Sequence, residues 1–223
     1  KMFCPGADLN WLEEIGSGSS PVSSNSDGKS TASNDSVGSS GDSLASSYFV
    51  TLKKPIIAAI NGGCAGYGIA IAMFCDMRFC AENVTFTTAF ARLGLIAEYG
   101  LSYTLPRIIG TSKALRLLWA AERINAQQAL EIGFVDRVIP GPRQNVINAA
   151  CDFIRQIART SSPTSLMIMK KQVYDSLDST LGKSMEEMNK ELIASLQRAD
   201  MREGVQAFVN KRQPNFVRIS SKL

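Results

Sequence analysis

The chain has 223 residues, enough for one sizeable hydrophobic core with an appendage, and its 45% apolar and 20% charged residues are the balance of an ordinary globular protein. A net charge of +4 is too mild to mark a nucleic-acid binder, and no apolar run reaches the roughly 18–20 residues of a membrane span. There is no histidine, which excludes Ser-His-Asp, Cys-His and His-ligated zinc chemistry within these residues.

Met2-Phe3-Cys4 reads as the end of a strand, Pro5-Gly6-Ala7-Asp8 as a turn, and Leu9-Asn10-Trp11-Leu12 as a helix start with Asp8 as its cap. From about Gly16 to Ser47 nearly half the residues are serine and large apolar side chains are almost absent. Such a stretch buries too little surface to offset its ordering entropy, so residues 16–47 are expected to be a disordered loop, either a surface insertion or a lid. Lys53-Lys54-Pro55 then leads into Ile56-Ile57-Ala58-Ala59-Ile60, a short β-branched run with the signature of a strand covered on both faces, ended by Asn61-Gly62-Gly63. Gly66-Tyr67-Gly68 opens a helix, small and apolar all round, that runs through Phe74 and closes at Cys75-Asp76. Met77 to Ala81 and Val84 to Phe86 read as further strands, so the pattern here is α/β.

Beyond Gly100 helices dominate. Leu101 to Ile109 and Ser112 to Trp119 are amphipathic, and Asn125 caps a helix that stops at Gly133. Val135 to Pro140 is a short strand, after which 143–159, 163–178, 183–198 and 200–212 show helical periodicity. The spacing predicts an α/β core over 1–140 and a helical region over 141–223. The five cysteines, in no zinc-binding spacing, read as free thiols of a reducing compartment and as small core residues.

Several segments, taken together and in order, resemble the enoyl-CoA hydratase/isomerase (crotonase) superfamily. They are Phe3-Cys4-Pro5-Gly6-Ala7-Asp8-Leu9, Lys54 to Gly62 followed by Gly66-Tyr67-Gly68 and Cys75-Asp76, Phe90 to Leu95, Leu105 to Gly110, Ala126 to Asp136, and Phe208 to Phe216. The resemblance implies an α/β crotonase fold of repeated ββα units, with two sheets and a C-terminal helical trimerisation region. It also implies that the strands that usually precede Phe3 are missing from this sequence. The partners implied are an acyl-CoA substrate and copies of the same chain, in a homotrimer or a dimer of trimers.

The superfamily stabilises an enolate on a thioester oxygen, which requires two N–H donors aimed where negative charge develops. By motif position these are the backbone N–H groups of Ala7 and Tyr67, with Gly6, Gly66 and Gly68 letting the chain approach the ligand and the helix start adding positive potential. The same glycines would also serve tight strand–helix packing. By the same resemblance the backbone around Pro5 receives the adenine of CoA and Lys211 approaches its phosphates. Typical hydratases of the family carry two glutamates, and the corresponding positions here are Ala70 and Phe90. Leu93 to Gly100 instead resembles the segment of the Δ3,Δ2-enoyl-CoA isomerases that carries a single glutamate, here Glu98. One carboxylate can take the C2 proton and return it at C4. Glu98 could alternatively cap the helix that begins near Gly100.

At a true C-terminus the final Ser221-Lys222-Leu223 is a peroxisomal import address, read by its receptor. The sequence thus points to an isomerase of fatty-acid β-oxidation in the peroxisome or glycosome. No cofactor motif is visible, and CoA arrives as part of the substrate. A hydratase, another crotonase-type acyl-CoA enzyme and a non-catalytic acyl-CoA-binding relative are the alternatives.

Overall fold

The computed structural model describes residues 2–8, 10, 13, 14, 17, 23, 24, 30, 31 and 47–219. The serine-rich stretch expected to be disordered falls almost entirely outside the described residues, and so does the terminal Ser-Lys-Leu. The chain divides into two compact units, one of residues 1–49 and 57–147, the other of residues 50–56 and 148–223.

The first unit holds the sheets. The strands are β1 (Met2–Cys4), β2 (Ser23–Ser24), β3 (Ser30–Thr31), β4 (Ile57–Ile60), β5 (Gly63–Ala65), β6 (Met77–Ala81), β7 (Thr85–Thr87), β8 (Ile124–Asn125) and β9 (Arg137–Ile139). One sheet has the order β1-β5-β7-β8 and another the order β4-β6-β9, while β2 and β3 pair with each other. In the middle of the unit neighbouring strands go to different sheets: β4 and β5 part company, helix α1 (Tyr67–Phe74) follows, then β6 and β7 part in the same way. This is the ββα repeat implied by the resemblance. Within the three-stranded sheet all pairing is parallel, with Ile57 opposite Met77 and Phe79 opposite Arg137.

Apolar side chains fill the space around these strands. Ile60, Ile69, Phe79, Phe86, Leu101, Leu105 and Phe134 are almost wholly buried. Each stabilises the fold by about 1.5–3 kcal/mol. The rings of Phe86 and Phe134 meet edge to face at 5.0 Å. Helix α1 is buried nearly all round, which is why its sequence shows small apolar residues rather than an amphipathic stripe. Its C-terminal end is held by an arginine within the core. Arg78 donates to the carbonyl oxygens of Ala72, Cys75 and Phe134, and its backbone N–H donates to an Asp136 carboxylate oxygen at 2.6 Å. A cation there also complements the negative end of the helix dipole.

Helices α2 (Leu101–Ile109), α3 (Thr111–Ala120) and α4 (Ala126–Glu131) complete this unit. Asn125 caps α4 in a reciprocal box with Gln128, two bonds of 2.9 Å each. Helix α5 (Gln144–Thr160) runs on into the second unit, which contains α6 (Pro163–Ser176), α7 (Leu181–Gln197) and α8 (Ala199–Val209). Ser162 caps α6 and donates to Asp200 of α8, and Glu203 accepts two bonds from Arg212 and one from the Asn215 N–H. These helices carry large exposed apolar residues, among them Val173, Leu181, Ile193 and Phe208. No helix among the described residues is long and apolar enough to cross a membrane.

Three readings of the sequence change. Gly63, read as closing the preceding strand, instead opens the strand Gly63–Ala65, because pairing with β1 and β7 on both sides orders these residues. The described cysteines are free, but Cys151 lies exposed on α5 rather than in the core. The β4 run is only half covered on one face: Ala58 and Ile60 are buried while Ile57 and Ala59 are partly exposed.

Candidate active site

The candidate site begins where two parallel strands end side by side. Strand β1 pairs with β5, Cys4 opposite Cys64, so Pro5-Gly6-Ala7 and Gly66-Tyr67 leave the sheet at the same edge. The two turns touch: a Cβ built on Gly66 would lie 3.6 Å from the Gly6 Cα. Both glycines have positive φ, 92° at Gly6 and 49° at Gly66, which glycine adopts without strain. Ala7 and Tyr67 each follow one of these touching glycines. The Gly66 N–H is taken by the Thr87 carbonyl at 3.1 Å, and Tyr67 is the first residue of α1. First-turn N–H groups project from a helix N-terminus and carry its positive end. Gly68 is buried one residue further on, where a Cβ would stand 2.6 Å from the Cys4 Cβ and 2.8 Å from the Cys4 oxygen. Only glycine allows α1 to start this close to β1.

Pro5 and Ala7 are exposed, Gly6, Gly66 and Tyr67 are half-buried, and Asp8 accepts from the Asn10 N–H at 2.9 Å as a helix cap does. Ala70, at the place of one hydratase glutamate, is fully buried, and Phe90, at the place of the other, is 5% exposed in the 3-10 turn Phe90–Leu93. Neither position holds a polar group.

Glu98 is half-buried in the turn that precedes α2. Tyr99 and Gly100 follow with left-handed backbone, φ 52° and 74°. The Tyr99 ring meets the Tyr67 ring edge to face, with centroids 4.6 Å apart. Tyr67, Tyr99 and Glu98 therefore form one cluster at the start of α1. Burial raises the Glu98 carboxyl above its usual range. The Tyr99 phenol is raised by burial first, then by the Glu98 charge and by Tyr67. Glu98 has ionised before the phenol titrates, so the phenol responds to Glu98 while Glu98 responds to burial alone. Gly100 is the residue that caps α2.

Lys211 lies in the second unit, exposed just after α8, with φ 50°. The buried Thr88 hydroxyl donates to the Leu117 carbonyl at 2.8 Å, anchoring the start of the loop that leads to Glu98. Sequence reading passed over two residues of this region. Arg78 was legible only as a charge within an apolar strand, and Tyr99 only as apolar lining.

Two touching glycine turns, a helix N-terminus and one half-buried carboxyl are thus gathered at one edge of the first unit. The enoyl-CoA hydratase/isomerase family model matches residues 1–218, and the chain belongs to that family. It is 30% identical over 219 residues to the peroxisomal Delta(3,5)-Delta(2,4)-dienoyl-CoA isomerase of Arabidopsis thaliana, covering 98% of this chain and 77% of that protein. It is 33% identical over 163 residues to a probable enoyl-CoA hydratase of Bacillus subtilis, covering 73% of this chain and 62% of that protein. Against the mitochondrial Delta(3,5)-Delta(2,4)-dienoyl-CoA isomerase of Rattus norvegicus the identity is 32% over 168 residues, with 75% of this chain and 51% of that protein covered. The chain thus spans less than two thirds of some of its relatives. A crystal structure of an enoyl-CoA hydratase from Polaromonas sp. JS666 has the same fold, with a TM-score of 0.80 over 97% of this chain and 78% of that one, at 24% identity. A probable enoyl-CoA hydratase/isomerase from Mycobacterium abscessus matches 75% of this chain and 68% of its own, with a TM-score of 0.72 and 28% identity.

Proposed function

We propose that the protein is a Δ3,Δ2-enoyl-CoA isomerase. The observation that carries this reading is the half-buried Glu98 carboxyl, joined through Tyr99 to the residue that opens α1, in a site whose two hydratase positions are apolar. Glu98 takes the C2 proton. The electron pair of that C–H bond moves into the C1–C2 bond, and the thioester oxygen becomes an oxyanion that accepts from the Ala7 and Tyr67 N–H groups. Collapse of the enolate forms the C2–C3 double bond, and the former C3–C4 π pair takes the proton back from Glu98 at C4. The step is redox-neutral and needs no cofactor beyond the CoA carried by the substrate. Burial suits it, since a base poised nearer the working pH transfers protons in both directions more readily.

The turn at Pro5 is proposed to meet the adenine of CoA, and the ammonium of Lys211 the phosphates of a CoA bound by a neighbouring copy. The exposed apolar residues on α6 to α8 support assembly as a homotrimer or a dimer of trimers. Ser221-Lys222-Leu223, and the peroxisomal name of the Arabidopsis relative, support a peroxisomal or glycosomal address. Removal of Leu223 should then leave the protein in the cytosol.

A second reading is a dienoyl-CoA isomerase, favoured by the Arabidopsis relative that covers 98% of the chain. Incubation with a 3-enoyl-CoA, a 2-enoyl-CoA and a 3,5-dienoyl-CoA, with identification of the products, separates the readings. Conversion of the first to trans-2-enoyl-CoA supports the proposal. Formation of a 3-hydroxyacyl-CoA overturns it in favour of a hydratase, and turnover of the diene alone in favour of the second reading.

A further inference from the structure

Tyr99 sits in a conformation that a residue with a Cβ rarely adopts, and glycine already occupies the next position. Gly100 lies against Phe74, the last residue of α1, where a Cβ would stand 3.0 Å from the Phe74 Cζ. The Tyr99 ring lies against Tyr67, the first residue of α1. Residues 67 and 74 are seven apart and share a face of the helix. The turn that carries Glu98 is therefore fastened at two points to the helix that carries the Tyr67 N–H. The titratable groups facing Tyr99 are Glu98 on its own turn and Tyr67 on α1.

We propose that Tyr99 is a positioning residue, whose ring, seated on Tyr67, holds the Glu98 carboxyl at a fixed place relative to the N-terminus of α1. This rests on Glu98 as the proton carrier. The ring does the holding and the hydroxyl is dispensable. The left-handed backbone is the strain that the ring contact sustains.

The test compares Tyr99→Phe, Tyr99→Ala, Tyr99→Gly and Glu98→Gln on 3-enoyl-CoA. Tyr99→Phe should keep its turnover. Tyr99→Ala and Tyr99→Gly should lose roughly 10–100-fold in kcat, the scale of a misplaced catalytic group, with KM little changed. Glycine suits a left-handed φ, so Tyr99→Gly should melt no earlier than Tyr99→Ala, and an equal loss of kcat in the two despite that difference separates positioning from folding. A readout independent of turnover is a 13C NMR titration of the glutamate carboxyls, with the Glu98 signal identified by its loss in Glu98→Gln. That carboxyl should stay raised in Tyr99→Phe and fall toward the ordinary range in Tyr99→Gly, as water reaches it. Retained kcat and a raised carboxyl in Tyr99→Gly would overturn the proposal. So would a Tyr99→Phe as impaired as Tyr99→Ala, because the hydroxyl would then take part in the chemistry. Full activity of Glu98→Gln would instead overturn the proton-carrier reading, and the role of Tyr99 with it.

Discussion

At Glu98 catalysis and stability pull in opposite directions. Burial raises the carboxyl above its ordinary 4.5, so the folded protein holds that proton more tightly than the unfolded chain. The stability this confers is full below the ordinary value and is lost as pH rises through the raised folded value. Glu98→Gln removes the titration. The variant should therefore gain on the unsubstituted protein as pH rises through that window, as measured by urea unfolding at a series of pH values. Parallel profiles would mean that Glu98 is not desolvated. Isomerase turnover in the same variant should fall by roughly 10²–10⁴-fold, the usual contribution of a general base. Binding of a CoA ester should persist, since the oxyanion donors are backbone groups. The sequence pointed to Glu98 and to both glycine turns through family resemblance alone. No local spacing brings residue 6 against residue 66, and no propensity announces a left-handed tyrosine.

Among the elements, the long helices and the apolar strands were legible because their periodicity is strong. The three-residue β5 and the two-residue β8 were not, since pairing rather than composition creates them. Helix α1 illustrates the difference. Its all-round apolar sequence announces burial, but the arginine that finishes it stands in the next strand. Arg78 satisfies carbonyls of Ala72, Cys75 and Phe134 and pairs with Asp136 at 3.5 Å. Arg78→Met should cost about 3 kcal/mol, near the lower end of the range for a buried pair that loses one partner, because Asp136 is 42% exposed and rehydrates. Denaturant unfolding measures this, and a change within error would show that the carbonyls find other donors. In the second unit, Glu203 is pulled down to about 2 by Arg212 and the Asn215 N–H. Its stabilisation is present above the ordinary carboxyl value of 4.5 and is lost as pH falls toward 2. Glu203→Gln should flatten acid unfolding across that interval, and an unaltered acid limb in circular dichroism would exclude the pair as its source.

At the scale of the whole molecule the helical unit presents large apolar side chains to solvent. Val173, Leu181, Ile193 and Phe208 are each more than 60% exposed. If this surface joins copies of the chain, Ile193→Asp should shift sedimentation from trimer to monomer while the helical content holds. A trimer that survives Ile193→Asp places the contact elsewhere.

The separation of neighbouring strands has a kinetic consequence. Because β4 and β5 adjoin in the chain yet enter different sheets, and β6 and β7 repeat the pattern, neither sheet can zip up from a local hairpin. Every parallel pair requires closure of a loop through the other layer, which makes the contacts non-local and the rate-limiting ensemble a joint one. The two sheets should then open as one cooperative block. In native-state hydrogen exchange the amides of Ala59 and Phe79 in one sheet and Phe86 in the other should share a single opening free energy. Two separate values would divide the core into independent folding units, and the sheet that bears Gly6 and Gly66 could open while the other stays folded.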